Sequence, residues 1–260
     1  MDIFPDRRTI ISIGDLKVYW YGFLYVAGYI VALVLLPRLQ KLRAVALSSS
    51  EWMESVTVLA IGAVAGGRLG YVLFYDPFYF IQRPLEIPAI WQGGMASHGG
   101  FIGVALAVWY LSRKYKVSFL ALTDLLSVPA GLGLAFGRVG NFINQELYGT
   151  VTTLPWGVSV PCTSDLRHPV QIYAALKDLL VAGCSYLALR RTSKPGYATA
   201  IFLLSYGLLR FFVEFFREPL HPVWKTSTIV ITEEQILTVI VFLVGVGLWH
   251  WLSRQEGKGS

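Results

Sequence analysis

The chain has 260 residues, 55% of them hydrophobic and 15% charged, with a formal net charge of +6. Soluble domains carry roughly 25% charged residues, so so apolar a chain could not cover its surface in water, and disorder, coiled coil and disulfide scaffold are excluded with it. The positive balance is not a nucleic-acid face, because Lys and Arg fall in short clusters between apolar runs, as at Arg38, Lys41 and Arg43 or Arg113, Lys114 and Lys116.

A bilayer core takes ~20 apolar residues as helix, and the runs are continuously apolar rather than alternating, which predicts helices and not a barrel. The first eight residues carry acids and offer no cleavage site after the first apolar run, so no removed signal peptide is expected. Span one, Val18–Leu36, is uncharged and opens near Trp20-Tyr21-Gly22. Span two, Val56–Tyr75, carries Arg68, with Gly62, Gly66 and Gly70 at the four-residue spacing of close helix packing. Span three, Met95–Leu111, has His98 in its first turn, within Ser97-His98-Gly99-Gly100. Span four, Phe119–Phe136, holds Asp124 and ends at Gly137-Arg138-Val139-Gly140-Asn141. Its Gly131, Gly133 and Gly137 follow no strand, so they predict packing and a broken helix end, not a dinucleotide fingerprint. A short outer segment, 150–168, leads to span five, Val170–Leu189. There Lys177 and Asp178 are adjacent, face different ways and read as structural. Span six, Tyr197–Phe216, carries Arg210 and Glu214 one turn apart, and span seven is Ile236–Leu252. The expected architecture is an all-α polytopic membrane protein, seven transmembrane helices in a single integral membrane domain.

Sidedness follows from the links. Those after spans one, three, five and seven hold 3, 3, 3 and 2 basic residues, against one (Arg83), two (Arg138, Arg167) and two (Arg217, Lys225) after spans two, four and six. The positive-inside rule puts the N-terminus outside and the C-terminus in the cytoplasm. Arg7, Arg8 and Lys17 run against that trend, but a short tail can still cross. The outer links are long and rich in Pro, Trp and Tyr, as expected of chain in the headgroup layer.

An ionisable side chain near the bilayer centre costs at least ~2.5–3.5 kcal/mol, so each one inside a span needs a reason. With this topology Arg68, His98, Arg138, Arg210 and Glu214, from four spans, share one depth near the outer leaflet with Tyr21 from a fifth. Arg210 lies ~9 Å below the end of its span at ~1.5 Å per residue. Each has a plainer reading alone: Arg210 and Glu214 as a self-neutralising pair, His98 as a packed polar residue, His168 as a helix-entry residue, His221 and His250 as interfacial. Together they describe a site. Guanidinium forks match phosphate oxygens, and at this depth the available phosphate is that of a phospholipid. Few acids lie at the midplane, which favours holding an anionic lipid over passing an ion. A transporter or flippase for an anionic lipid would continue its polar lining into the cytoplasmic half, and a retinal-type receptor would need a lysine in span seven. Cys184 lies in an apolar run, so a disulfide with Cys162 is not expected. No metal site is predicted.

The stretch Gly137-Arg138-Val139-Gly140-Asn141-Phe142-Ile143-Asn144-Gln145-Glu146-Leu147-Tyr148-Gly149 resembles the signature of the bacterial prolipoprotein diacylglyceryl transferases. Trp20-Tyr21-Gly22, Gly66 through Tyr71, His98-Gly99-Gly100, His168-Pro169-Val170-Gln171 and Tyr206 through Arg217 follow that family's order over nearly the whole chain. The resemblance implies a multi-pass enzyme of the bacterial inner membrane with its active site toward the outer leaflet and no cofactor. It would move the diacylglyceryl group of phosphatidylglycerol to the lipobox cysteine of a prolipoprotein, giving a thioether and glycerol 1-phosphate. It ties activity to Tyr21, His98, Arg138, Asn141, Glu146, Gly149, Arg210 and Glu214. Arg138 and Arg210 are expected to clamp the phosphate with Glu146, Glu214 and Asn141 around them, Arg68 to join the lipid site, and His98 to serve as base. Ala174 and Leu220 stand where the family carries acids, so no role is carried over there.

Overall fold

The computed structural model describes residues 9–13, 16–160, 164–219, 222–225 and 230–256; Arg7, Arg8, Cys162, Leu220 and His221 lie outside the described residues. Among the described residues there are eight α-helices, seven along the apolar runs and the short α3 in the link after span two: α1 (Trp20–Leu39), α2 (Ser49–Phe74), α3 (Pro77–Gln82), α4 (Ser97–Tyr115), α5 (Phe119–Ile143), α6 (Val170–Arg191), α7 (Tyr197–Glu214) and α8 (Glu233–Glu256). Six of them, α1, α2, α5, α6, α7 and α8, are long and apolar enough to cross a membrane. The run expected as span three forms α4, nineteen residues long, but its glycines and polar ends (Ser97, His98, Ser112, Arg113, Lys114) dilute its hydropathy below that of the six.

The links also hold small antiparallel hairpins that an all-α reading omits: β1 (Thr9–Ile13) with β2 (Leu16–Tyr19), β3 (Val158–Ser159) with β4 (Leu166–Arg167), and β5 (Pro222–Lys225) with β6 (Val230–Thr232). Outside a helix the main chain must find partners elsewhere, and short ladders supply them. Burial differs from that of a soluble protein in what lies outside and which charges lie within. Leu180, Leu187 and Leu243 are exposed, while Asp124, Lys177, Asp178, Arg210 and Glu214 are buried. Such a surface suits hydrocarbon, with the charges paired inside.

The chain divides into two compact units, residues 1–35 with 124–260, and residues 36–123. In the second unit α2 begins with a capping box, Glu51 N–H donating to Ser48 Oγ and Ser48 N–H to Glu51 Oε2 at 3.3 and 2.7 Å. The glycine spacing on α2 meets a matching set on α4. A Cβ on Gly66 would fall onto the Gly99 carbonyl and 2.8 Å from Gly103 Cα, and one on Gly62 would lie 2.7 Å from the Gly103 carbonyl. Backbone-to-backbone approach of this kind is what small residues at helix interfaces allow.

In the first unit α7 packs against both α6 and α8. Asp124 of α5, fully buried, accepts hydrogen bonds from Gly196 N–H at 2.8 Å and from Thr199 N–H and Oγ1 at 2.7 Å each. It thus caps α7 from another helix, since Gly196 has no side chain to do so, and its charge suits a helix N-terminus. The expected break near Gly137 is absent. α5 runs through Pro129 and its glycines to Ile143, with Gly131 seated on Ala182 and Gly140 under the Tyr21 ring. These contacts offset the poor helix propensity of glycine, about 1 kcal/mol per residue. The extension places Arg138 and Asn141 on helix.

Candidate active site

Beyond Ile143 the chain turns sharply, with Gln145 and Leu147 in the left-handed region at φ 56° and 58°. Side chains other than glycine adopt that region at a cost of roughly 1–2 kcal/mol per residue, so neighbouring bonds must hold the turn. Glu146 N–H donates to the Asn141 carbonyl at 2.9 Å, and Gln171 Nε2 of α6 donates to the Glu146 carbonyl at 2.5 Å. The Glu146 carboxylate accepts from Asn141 Nδ2 and Asn144 Nδ2, both at 3.2 Å. Tyr21 Oη accepts from Tyr25 Oη at 3.3 Å. Lys17, Tyr21, Phe23, Val26, Asn144 and Glu146 are among the residues that line an open cleft of about 850 Å³.

Three arginines of this unit differ in how they are held. Arg210 Nη1 donates to Glu214 Oε2 one turn along α7, both side chains buried. Glu214 Oε1 also faces Arg217 Nη1 at 3.7 Å, so one carboxylate lies between two guanidiniums. Burial pushes the pKa of Arg217 below the ordinary guanidinium value, and Glu214 pulls it back. Arg138 is different. Its Nε lies 3.9 Å from Asp178 Oδ2, and its side chain is 24% exposed. Among the described residues its terminal nitrogens meet no hydrogen-bond acceptor, so its fork is open.

Gly149 is a main-chain position. It forms a β-bridge with Arg217, its carbonyl accepts from Arg167 Nη1 at 3.0 Å, and a Cβ there would collide with the His168 carbonyl. Around it Thr150 N–H donates to the Phe216 carbonyl at 2.9 Å, and His168 N–H to the Thr150 carbonyl at 3.0 Å. Arg167 pairs with Glu218. Only glycine fits where three strands of chain approach so closely. His168 packs edge-on to Phe216, its Nδ1 3.1 Å from Tyr173 Oη.

Arg68 and His98 belong to the second unit. Arg68 is buried and engaged with main chain: Nε to the Ile87 carbonyl at 2.7 Å, Nη2 to that of Glu86 at 2.8 Å, and Nη1 to those of Gly93 and Gly94. Its guanidinium also lies over the Phe80 ring at 5.0 Å. Four of its five N–H donors thus serve carbonyls of the 86–94 link, which leaves little of the fork for the lipid phosphate it was expected to meet. His98 stands exposed in the first turn of α4.

The structure therefore joins Arg210 with Glu214, Asn141 with Glu146, and Gly149 with Arg217. Sequence reasoning gave Gln171 no role and set Lys177 and Asp178 apart as structural. Rather than facing different ways, Lys177 bonds Asp178 directly, and Asp178 of α6 reaches Arg138 of α5. The available signal was the energetic one: a buried acid in a span demands cations around it.

The sequence profile of the prolipoprotein diacylglyceryl transferases matches residues 8–251. A phosphatidylglycerol–prolipoprotein diacylglyceryl transferase of Nitrosomonas europaea is 42% identical over 251 residues, 95% of this chain and 90% of the relative. One of Geobacter sulfurreducens is 40% identical over 246 residues, 94% of each chain. One of Legionella pneumophila is 37% identical over 254 residues, 96% of this chain and 99% of the relative. By profile, by these relatives and by the residues gathered at the end of α5, the chain belongs to the prolipoprotein diacylglyceryl transferase family.

Proposed function

We propose that this chain transfers the diacylglyceryl group of phosphatidylglycerol to the lipobox cysteine thiol of prolipoproteins, releasing glycerol 1-phosphate. It would do so in the bacterial inner membrane as a single seven-span domain, α4 completing the count, with its N-terminus outside and the site toward the outer leaflet. The observation that carries the reading is Arg138, one turn of α5 before Asn141, whose terminal nitrogens meet no acceptor among the described residues and so offer a fork suited to one phosphate.

In the reaction the cysteine sulfur attacks the glycerol carbon that bears the phosphate, and a C–S bond replaces the C–O bond. The electron pair of the C–O bond leaves on the phosphate oxygen, so one further negative charge develops there. Arg138 and Arg210 are the groups proposed to stabilise it, since donors aimed at developing charge act most strongly where water is excluded. Glu214 orients Arg210, and Asn141 with Glu146 completes the polar rim with Tyr21. Arg68 acts through the 86–94 link that it holds. A free thiol has pKa ~8.5 and needs a base or a positive field to ionise, and His98 is the proposed acceptor of its proton.

The test is direct. Purified protein incubated with phosphatidylglycerol and a lipobox peptide should add one diacylglyceryl group to the peptide by mass, with glycerol phosphate released in equal amount. A Cys→Ser peptide should gain nothing. A folded preparation that leaves the cysteine peptide unmodified refutes the proposal.

A further inference from the structure

Two charged residues stand outside the mechanism, Lys177 and Asp178 of α6, with side chains 3% and 0% exposed. A pair of adjacent residues so buried could serve only to neutralise itself, and the geometry adds a third member. Lys177 Nζ bonds Asp178 Oδ1 and lies 3.9 Å from the centroid of the Tyr206 ring. Asp178 Oδ2 has no hydrogen-bond partner among the described residues, yet it is buried, and it faces Arg138 Nε at 3.9 Å.

A separation of 3.9 Å is an ion pair but not a hydrogen bond, which needs about 2.7–3.2 Å. The carboxylate thus steadies the guanidinium from its Nε edge without locking it, and the edge that carries the two terminal nitrogens stays open. Lys177 determines how much of the carboxylate remains, because it occupies one oxygen. A movement of about 1 Å would close the Nε–Oδ2 gap to a charged hydrogen bond as the fork takes up phosphate.

The geometry points to Asp178 as the positioning residue of Arg138, with Lys177 limiting how tightly it holds. This rests on the proposed transfer reaction, in which Arg138 meets the lipid phosphate. The Lys177–Asp178 pair is then a working part of the site, aiming the fork at the phosphate as charge develops.

The experiment uses the full chain in mixed micelles of detergent and phosphatidylglycerol with a lipobox peptide, varying each substrate separately. Wild type without transfer would overturn the proposed function and is scored first. With an active wild type, Asp178→Asn should lower kcat/KM for phosphatidylglycerol about 10²-fold, the loss a misplacement of roughly 1 Å can produce. The KM for the peptide should stay within twofold. Asp178→Glu should recover most of the loss. The double replacement Lys177→Met with Asp178→Asn removes both charges and leaves no buried ion unpaired; it should keep a Tm close to wild type and be as slow as Asp178→Asn. A folded double variant with wild-type turnover overturns the inference. So does activity that falls only in step with Tm in every variant, which would leave the pair purely structural.

Discussion

Replacing Arg138 by lysine keeps the positive charge and removes the fork. The fold should tolerate it, because the side chain is partly exposed and Asp178 keeps its bond to Lys177. The lost interaction is between the terminal nitrogens and phosphate. A hydrogen bond to a charged group contributes about 1.5–3 kcal/mol, so a lysine that keeps one such bond and loses the other should lower kcat/KM about 10- to 150-fold. Arg138→Ala loses both and the charge, about 3–6 kcal/mol, or roughly 10²- to 10⁴-fold. The measurement is diacylglyceryl transfer to a lipobox peptide by mass, over a range of phosphatidylglycerol, with Tm and membrane level measured in parallel. Lysine turnover within twofold of wild type would refute the bidentate clamp. An equal fall in Tm and rate would make Arg138 a structural residue.

Gly149→Ala should drive a methyl group into the His168 carbonyl and open the bridge to Arg217; overpacking of this kind costs about 1–3 kcal/mol, so Tm should fall and transfer should be lost. Protease sensitivity unchanged near 148–168, with activity kept, would count against that account. For His98→Gln a loss of about 10²–10⁴-fold is expected if the imidazole takes the thiol proton, and tenfold or less if it only supports the start of α4; single-turnover rates distinguish the two. For the topology, a cysteine at Thr152 should label from outside and one at Lys114 should not. A reporter fused after Ser260 should be cytoplasmic; outside labelling of the Lys114 variant would reverse the assignment.

How much was legible in the sequence differs residue by residue. Arg210 and Glu214 were, because a pair one turn apart on a helix meets whatever the helix packs against. The α2 glycines were as well, although their counterparts Gly99 and Gly103 lay inside a motif read for its histidine. Arg68 was not: its partners are carbonyls 18 to 26 residues further along, in a link whose path no periodicity encodes. The bond between Lys177 and Asp178 was not legible, because adjacent residues on a helix point about 100° apart. A long lysine side chain can still curl back, and in a dry interior an unpaired charge leaves it little alternative.

The sequence by itself determined the membrane character and the helical runs, because transfer free energy and short-range periodicity are sums over neighbours in the chain, and the motif at 137–149 carried the resemblance to the family. The tertiary structure alone decided that α5 continues past Gly137, that Asp124 caps α7, that Arg68 is tied to main chain, and that Asp178 stands behind Arg138. Each depends on which face one helix turns to another. That rotation is set by close packing across tens of residues of separation, and no local pattern of side chains specifies it.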